Sequence, residues 1–364
     1  MLRNWRDFSC AFYSVSVKSG VQDVIQLLKR SKSPLLLGIW GMTGIGKSTV
    51  AKAIYHQIGP YFEHTCLLKK VRVVWEENNG QVSLQGKLLF DLHKEAEIKI
   101  PTIESGKDIL KERLRHKRVL LVLDDVNKLE QLNALCGSRD WFGTGSKIII
   151  TTRDRNLLKE HGVDHIYKVK ELNESESLEV LNRGAFNQAT SREDFTEIST
   201  QVVSYSRGLP LALGVLGWFL NGKEIREWKG VLKSLKRFSI PSPRLLEALE
   251  NSFSYLSDEE KQIFFDIACF FNGKDQNDVL QALNRSTQSA ALQISLLEDK
   301  SLVTIDENNK LQMHVLLQAM ARDIIKRESS ITAYQVSDNL CIYIYEGFAK
   351  RHQLIFMKVS FSKF

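Results

Sequence analysis

Three short runs of unbroken apolar residues punctuate the first half of the chain: LLLGIW at 35–40, RVLLVL at 118–123 and SKIIIT at 146–151. Helical patterns lie between them. Continuous apolarity of this length predicts strands covered on both faces, and hence an α/β fold built on a parallel sheet. A polar cluster follows each run: GMTGIGKS, then DD, then TRD. In a parallel sheet these clusters emerge at the carboxyl ends of the strands, where open α/β sheets bind ligands.

From about residue 190 the pattern turns helical. Phe195, Ile198, Val202 and Tyr205 fall on one helical face, and that helix is expected to stop at the Gly-Leu-Pro of 208–210. EEKQIFFDIACFF predicts another apolar helix. ALQISLLEDKSLVTIDENNKLQMHVLLQAMARDII then reads as helix, strand, turn, strand, helix, the order of a winged-helix unit. No internal repeat is visible, and no leucine-rich period of the usual ~20–29 residues. The last stretch, from Ile331 onward, is aromatic and β-prone and receives no assignment.

Composition narrows the classes. The 364 residues are enough for more than one core. The net charge of +7 would suggest a polyanion partner only if clustered in the body of the chain. Residues 1–34 carry six Lys/Arg against two acids and residues 329–364 four against two, so the ends hold +6 of it. Two solvated basic ends describe the charge better than a nucleic-acid footprint. Cys10, Cys66, Cys136, Cys269 and Cys341 show no pairing rhythm and no CxxC, as reduced cytosolic cysteines do. No apolar stretch reaches the ~18 residues of a membrane span. The start, MLRNWRDFSCAFYSVSV, is too broken by charge for a signal peptide. The expected location is cytoplasmic or nucleocytoplasmic, with no membrane and no nucleic-acid partner.

GMTGIGKS fits G-x-x-x-x-G-K-[ST] through Gly41, Gly46, Lys47 and Ser48. Glycines, Gly44 among them, let backbone N–H groups close around phosphate oxygens, and Lys47 reaches the β- and γ-phosphates. The Ser48 hydroxyl is placed to ligate Mg2+, and the helix beginning there points its positive end at the anion. Thr49 adds a hydroxyl for the α-phosphate. LLVLDD delivers two carboxylates from a buried strand: Asp124 to hold Mg2+ through water, Asp125 to polarise an attacking water. A solvated turn is the plainer reading of such a pair, but Lys47 and Ser48 upstream favour the metal. Arg153, after the third run, has two readings from spacing alone: contact with a γ-phosphate, or a surface pair with Asp154.

GMTGIGKSTVAKAIY, KRVLLVLDDVNKLEQL, FGTGSKIIITTRD, YKVKELNESESLEVL, GLPLAL, FFDIACFF and LQMHVLLQAM occur in one order. Together they resemble the NB-ARC module of plant intracellular disease-resistance proteins, a group of signal-transduction P-loop NTPases. Asn127, where the other class usually has tryptophan, and the FFDIACFF string point to the class with an N-terminal TIR domain. The resemblance covers roughly residues 20–328. It implies a P-loop NTPase sheet over 21–188, a helical domain over 189–252 and a winged-helix domain over 253–328, with 1–20 and 329–364 unassigned. It also implies a switch that binds ADP at rest and signals after exchange for ATP, at most a slow ATPase. Its partners would be immune-signalling proteins, with self-association on activation. By position, Arg153 becomes the phosphate sensor, Pro210 of GLPLAL packs near the adenine and His314 reaches the β-phosphate. Without the resemblance, His314 is a lone histidine of structural type.

Some positions depart from the family pattern. Met313-His314-Val315 stands for Met-His-Asp, and valine cannot act as cap or dipole partner at a helix start. A loosened ADP state is the expected consequence. Thr43 replaces a loop glycine, and a β-branched residue resists positive φ. Lys18 and Gly20 stand where relatives carry an acid and an arginine, and Val73 replaces an acid after Arg72. No TIR domain is read before residue 20 and no leucine-rich repeat after 330. The alternative expectation is therefore a truncated, regulatory or degenerate paralogue that binds ADP without switching. A metabolic P-loop ATPase would need a substrate module or ring-forming arginine finger, neither of which is visible. DNA binding through the winged helix is disfavoured by the acidity of ALQISLLEDKSL.

Overall fold

The computed structural model describes residues 18–29, 33–93, 100–186, 193–236, 243–283 and 287–328. Of the segments expected to be unassigned, 1–20 and 329–364, residues 1–17 and all of 329–364 lie outside the described residues, as do Cys10 and Cys341. The chain divides into two compact units, Met1–Glu171 and Leu172–Phe364. No helix among the described residues is long and apolar enough to cross a membrane.

The first unit is a parallel sheet flanked by helices. Helix α1 (Lys18–Lys29) precedes β1 (Leu35–Trp40), and α2 (Lys47–Ile58) follows it. Then come β2 (His64–Leu68), the short α3 (Val71–Trp75), α4 (Gly80–His93) and α5 (Ile103–Leu114). The unit closes with β3 (Val119–Val126), α6 (Leu129–Leu135), β4 (Lys147–Thr152), α7 (Arg155–His161) and β5 (His165–Lys168). The five strands stand in the order β2-β3-β4-β1-β5, all pairs parallel.

The three apolar runs become β1, β3 and β4, the interior strands, and β1 and β4 are buried at every residue. Helices cover both faces, so such strands alternate nothing: each side chain meets a helix. The two edge strands, HTCLL and HIYK, were not among the predicted runs. They are short, only partly buried and carry polar residues, because an edge strand is half covered. A core cluster joins Leu36, Leu121, Leu123, Ile148 and Ile150 of the sheet to Leu88, Leu110 and Leu132 of the helices.

The second unit is helical. Helices α8 (Glu174–Phe186), α9 (Thr196–Ser206), α10 (Pro210–Leu220) and α11 (Ile225–Lys236) form its first part. The chain's division after Glu171 places α8, inside the span 21–188 expected for the nucleotide-binding domain, against α9 and α10. The helix predicted to stop before Gly-Leu-Pro does so: α9 ends at Ser206, Arg207 is left-handed (φ 44°), and Pro210 opens α10 at its first turn, where a missing N–H costs nothing. Phe186, Phe195 and Trp228 pack as an aromatic trio. The Phe186 and Trp228 rings are stacked with centroids 5.5 Å apart, and Phe195 stands edge-on to both.

The remainder holds α12 (Pro243–Phe253), α13 (Asp258–Asp266), α14 (Gln276–Ala282), α15 (Thr287–Asp299), β6 (Thr304–Ile305), β7 (Leu311–Gln312) and α16 (Val315–Glu328). This is the winged-helix order expected, with β6 and β7 antiparallel. Ser257 and Glu260 form a capping box at the start of α13. The predicted EEKQIFFDIACFF helix does not run straight through. It ends in a π-helical turn, Ile267–Phe271. Beyond that turn the Asn272 side chain accepts from the Met313 backbone N–H at 2.7 Å, fastening the residue before His314.

Candidate nucleotide-binding site

The loop between β1 and α2 turns through three glycines at positive φ: Gly41 (152°), Gly44 (81°) and Gly46 (105°). Thr43 is not among the described residues with positive φ. The loop's strained turns fall on glycine, and the impairment expected from a β-branched residue has no φ to act on. Gly46 caps α2, its carbonyl accepting from the N–H of Thr49 and Val50, both at 2.9 Å. A Cβ added at Gly46 would meet nothing within 4 Å. Glycine is needed there for its left-handed backbone, and the space beside it is an open cradle at a helix N-terminus.

Lys47, the first residue of α2, curls back over this loop. Its Nζ donates to the Gly41 carbonyl at 2.7 Å and the Met42 carbonyl at 2.9 Å. The residue is 9% exposed. Burial brings its ammonium down to about 7, and the Arg153 charge pushes the same way, against Asp125 and Asp124. A cation this short of solvent and this close to another cation calls for an anion. Phosphate oxygens supply that charge, so these residues fit a nucleotide.

Asp124 and Asp125 follow each other on β3, and a regular strand would send them to opposite faces. Here the register of β3 with β4 shifts between Leu123 and Val126, and Asp125 is left-handed at φ 65°. Such a bulge re-aims side chains, and both carboxylates act on Lys47. Thr151 ties the two together. Its hydroxyl donates to Asp124 Oδ1 at 2.8 Å and accepts from the Asp125 N–H at 2.8 Å. Asp124 is buried. A buried carboxylate whose charge acts on Lys47, with one oxygen held by a hydroxyl, suits a hard divalent cation bound through water.

Asp125, expected to orient a water, lies between two arginines. Arg72 Nε donates to Oδ2 at 3.0 Å, and Arg153 Nη2 lies 3.7 Å from Oδ1. Arg153 is thus drawn toward Asp125, while Asp154 caps α7 by accepting from the N–H of Asn156 and Leu157. Trp40, the last residue of β1, donates its indole N–H to the Arg153 carbonyl at 3.1 Å, and the cations of Arg155 and Lys168 lie over its ring. Arg72, Thr151 and Trp40 were absent from the sequence-based site. Thr151 sits two residues before Arg153 in TTRD and was legible there; the pairing of Arg72 crosses 53 positions and left no local signal.

Gly41, Gly44, Gly46, Lys47, Ser48, Thr49, Asp124, Asp125 and Arg153 all belong to the first unit; Pro210 and His314 belong to the second. His314 precedes α16, its carbonyl accepting from the N–H of Leu317 and Gln318. Its ring completes the cap, Nδ1 accepting from the Leu316 N–H at 3.2 Å. With Nδ1 an acceptor, Nε2 carries the proton and donates to the Ser206 carbonyl at 3.2 Å. Burial takes the imidazole down to about 4, the nearby Arg207 charge acting in the same direction, so His314 is neutral at physiological pH. The cap that Val315 cannot give is supplied by its neighbour.

Comparison with known proteins bears on all of this. A family model described as the NB-ARC domain matches residues 17–191, and one described as the winged-helix domain of a Roq1-like disease resistance protein matches 257–330. Disease resistance protein RUN1 of Vitis rotundifolia is 38% identical over 316 residues, 86% of this chain and 23% of that protein. TMV resistance protein N of Nicotiana glutinosa is 39% identical over 297 residues, 80% of this chain and 25% of that protein. The chain therefore spans about a quarter of the length of these curated relatives. Among solved structures, the Walker-type ATPase PABY2304 of Pyrococcus abyssi superposes with a TM-score of 0.55 at 15% identity, covering 83% of this chain and 94% of that one, which shows a shared fold. With its P-loop sheet, helical region and winged helix, the chain carries an NB-ARC domain and a Roq1-like winged-helix domain and is a homologue of TIR-type plant disease-resistance proteins.

Proposed function

We propose that this chain is an ADP/ATP-binding molecular switch of plant intracellular defence signalling, ADP-bound at rest and activated by exchange for ATP. The observation that carries the reading is Lys47: a buried ammonium, folded back on the loop carbonyls of an open glycine cradle and repelled by Arg153. Gly41, Gly44 and Gly46 shape the cradle, Lys47 and Thr49 hold phosphate oxygens, and Arg153 reads the third phosphate. Ser48 and Asp124 hold Mg2+, which when bound neutralises charge on the phosphates. Asp125 is the group nearest an attacking water's role, and hydrolysis is slow, serving only to reset the switch. The family pattern implies Pro210 on the adenine side and His314 at the β-phosphate, a role for which the His314 Nε2–H would have to exchange its Ser206 carbonyl for a phosphate oxygen. The domains follow that pattern: nucleotide-binding over 21–188, helical over 189–252 and winged-helix over 253–328. The setting is the cytoplasm, with immune-signalling proteins as partners and self-association on activation.

The switching logic is thermodynamic. ADP stabilises the resting arrangement only by binding it better than the active one, and a ligand indifferent to the two would shift nothing. The second reading, a regulatory paralogue that holds ADP without switching, is favoured by Val315 at the start of α16. Nucleotide released on denaturing the purified chain separates the readings. ADP that exchanges for ATP supports the switch, ADP that never exchanges supports the second reading, and no nucleotide removes both.

A further inference from the structure

Asp125 cannot easily move. Its backbone is left-handed at a strand bulge, and its N–H is held by the Thr151 hydroxyl. Its carboxylate lies where two guanidinium groups converge, and they engage it unequally. Arg72, on α3, makes a charge-assisted hydrogen bond at 3.0 Å, whereas Arg153 at 3.7 Å is an ion pair beyond hydrogen-bond distance. The three side chains are 18%, 22% and 24% exposed for Arg72, Asp125 and Arg153, so solvent screens them incompletely. Trp40 anchors the Arg153 carbonyl, so the Arg153 backbone is held independently of the guanidinium contact with Asp125.

We propose that Arg72 is a specificity-determining positioning residue for the nucleotide: by holding Asp125 it keeps that carboxylate from capturing Arg153, and so sets the preference for a nucleoside triphosphate over a diphosphate. The proposal rests on the nucleotide-binding reading given above. A third phosphate and Asp125 are rival anions for one guanidinium. Arg72 satisfies most of the Asp125 charge, so the rivalry favours the phosphate. Without Arg72 the whole carboxylate charge falls on Arg153, the 3.7 Å pair closes, and the triphosphate loses its reader. A diphosphate presents no third phosphate and is indifferent to the change. A purely structural salt bridge would behave differently, since its loss would weaken both nucleotides alike or neither.

The test measures Kd for ADP and for a non-hydrolysable ATP analogue, both with Mg2+, on the full chain. Arg72→Gln is expected to weaken the analogue by about five- to tenfold relative to ADP, the usual size of such coupling. Arg72→Lys, which keeps the charge, retains part of the preference. Asp125→Asn alone releases Arg153 and raises the preference for the analogue, and the Arg72→Gln/Asp125→Asn double variant recovers what Arg72→Gln lost. Equal weakening of both ligands in Arg72→Gln, no change in either, or a double variant as poor as the single overturns the proposal while leaving nucleotide binding intact. Should Arg72→Gln not fold, an unchanged preference in Asp125→Asn overturns it instead. Wild-type protein that binds neither ligand removes the underlying reading, and the proposal with it.

Discussion

Lys47 is a cation held under conditions that favour its loss: buried, beside Arg153, and brought down to about 7. Such a group destabilises the nucleotide-free chain, because the unfolded state keeps the proton more readily. Lys47→Met is therefore expected to raise the Tm of nucleotide-free protein while abolishing the further rise on adding ADP and Mg2+, as read by thermal melts; an unchanged ADP-dependent rise would contradict the phosphate role. His314 offers a pH signature. Its imidazole falls from the ordinary 6.5 to about 4 because it is buried. The unfolded chain takes up that proton near pH 6.5 and the folded chain only near 4, so folding loses stability as pH falls through that interval and loses no more below it. At roughly 1.4 kcal/mol per unit the ceiling is about 3 kcal/mol. Denaturant melts of wild type and His314→Gln between pH 7 and 4 check it: the variant's stability is expected to fall less steeply.

At the scale of elements, what was legible in the chain and what was not follows from where each strand sits. LLLGIW, RVLLVL and SKIIIT stand inside the sheet, covered on both faces, and announce themselves by unbroken apolarity. HTCLL and HIYK stand at its edges with partial cover, and nothing in their short polar-flanked patterns separates them from loop. The phosphate loop was legible because its spacing is local. The bulge at Asp124 and Asp125 was not, since it is a property of the pairing of β3 with β4. Trp228 shows how the helical part is held. It is fully buried, stacked on Phe186, edge-on to Phe195, and its indole N–H donates to the Leu220 carbonyl at 3.2 Å. Trp228→Ala is expected to cost about 3–5 kcal/mol of stability in urea melts. Val315 belongs to this scale too. An aspartate at Val315, the first residue of α16 after the His314 cap, would add about 0.3–1 kcal/mol through the helix dipole, beside the His314 ring already accepting from Leu316. Val315→Asp is expected to slow ADP release in a fluorescent-nucleotide chase; equal rates would show that valine loosens nothing.

For the molecule as a whole, the two units contribute different chemistry. The first gathers the glycine cradle, Lys47, the acid pair and the two arginines Arg72 and Arg153. The second holds a neutral histidine by Nδ1 and Nε2 between α16 and the end of α9. The relatives named above are several times longer than this chain, so what it signals to belongs to the proposal, whereas nucleotide binding belongs to the residues. That binding is most directly tested by denaturing freshly purified protein and identifying the released nucleotide by chromatography, with Lys47→Ala alongside. Close to one ADP per wild-type chain is expected, and none in the variant. Wild-type protein released without nucleotide, and unable to take up ADP with Mg2+ afterwards, would contradict it.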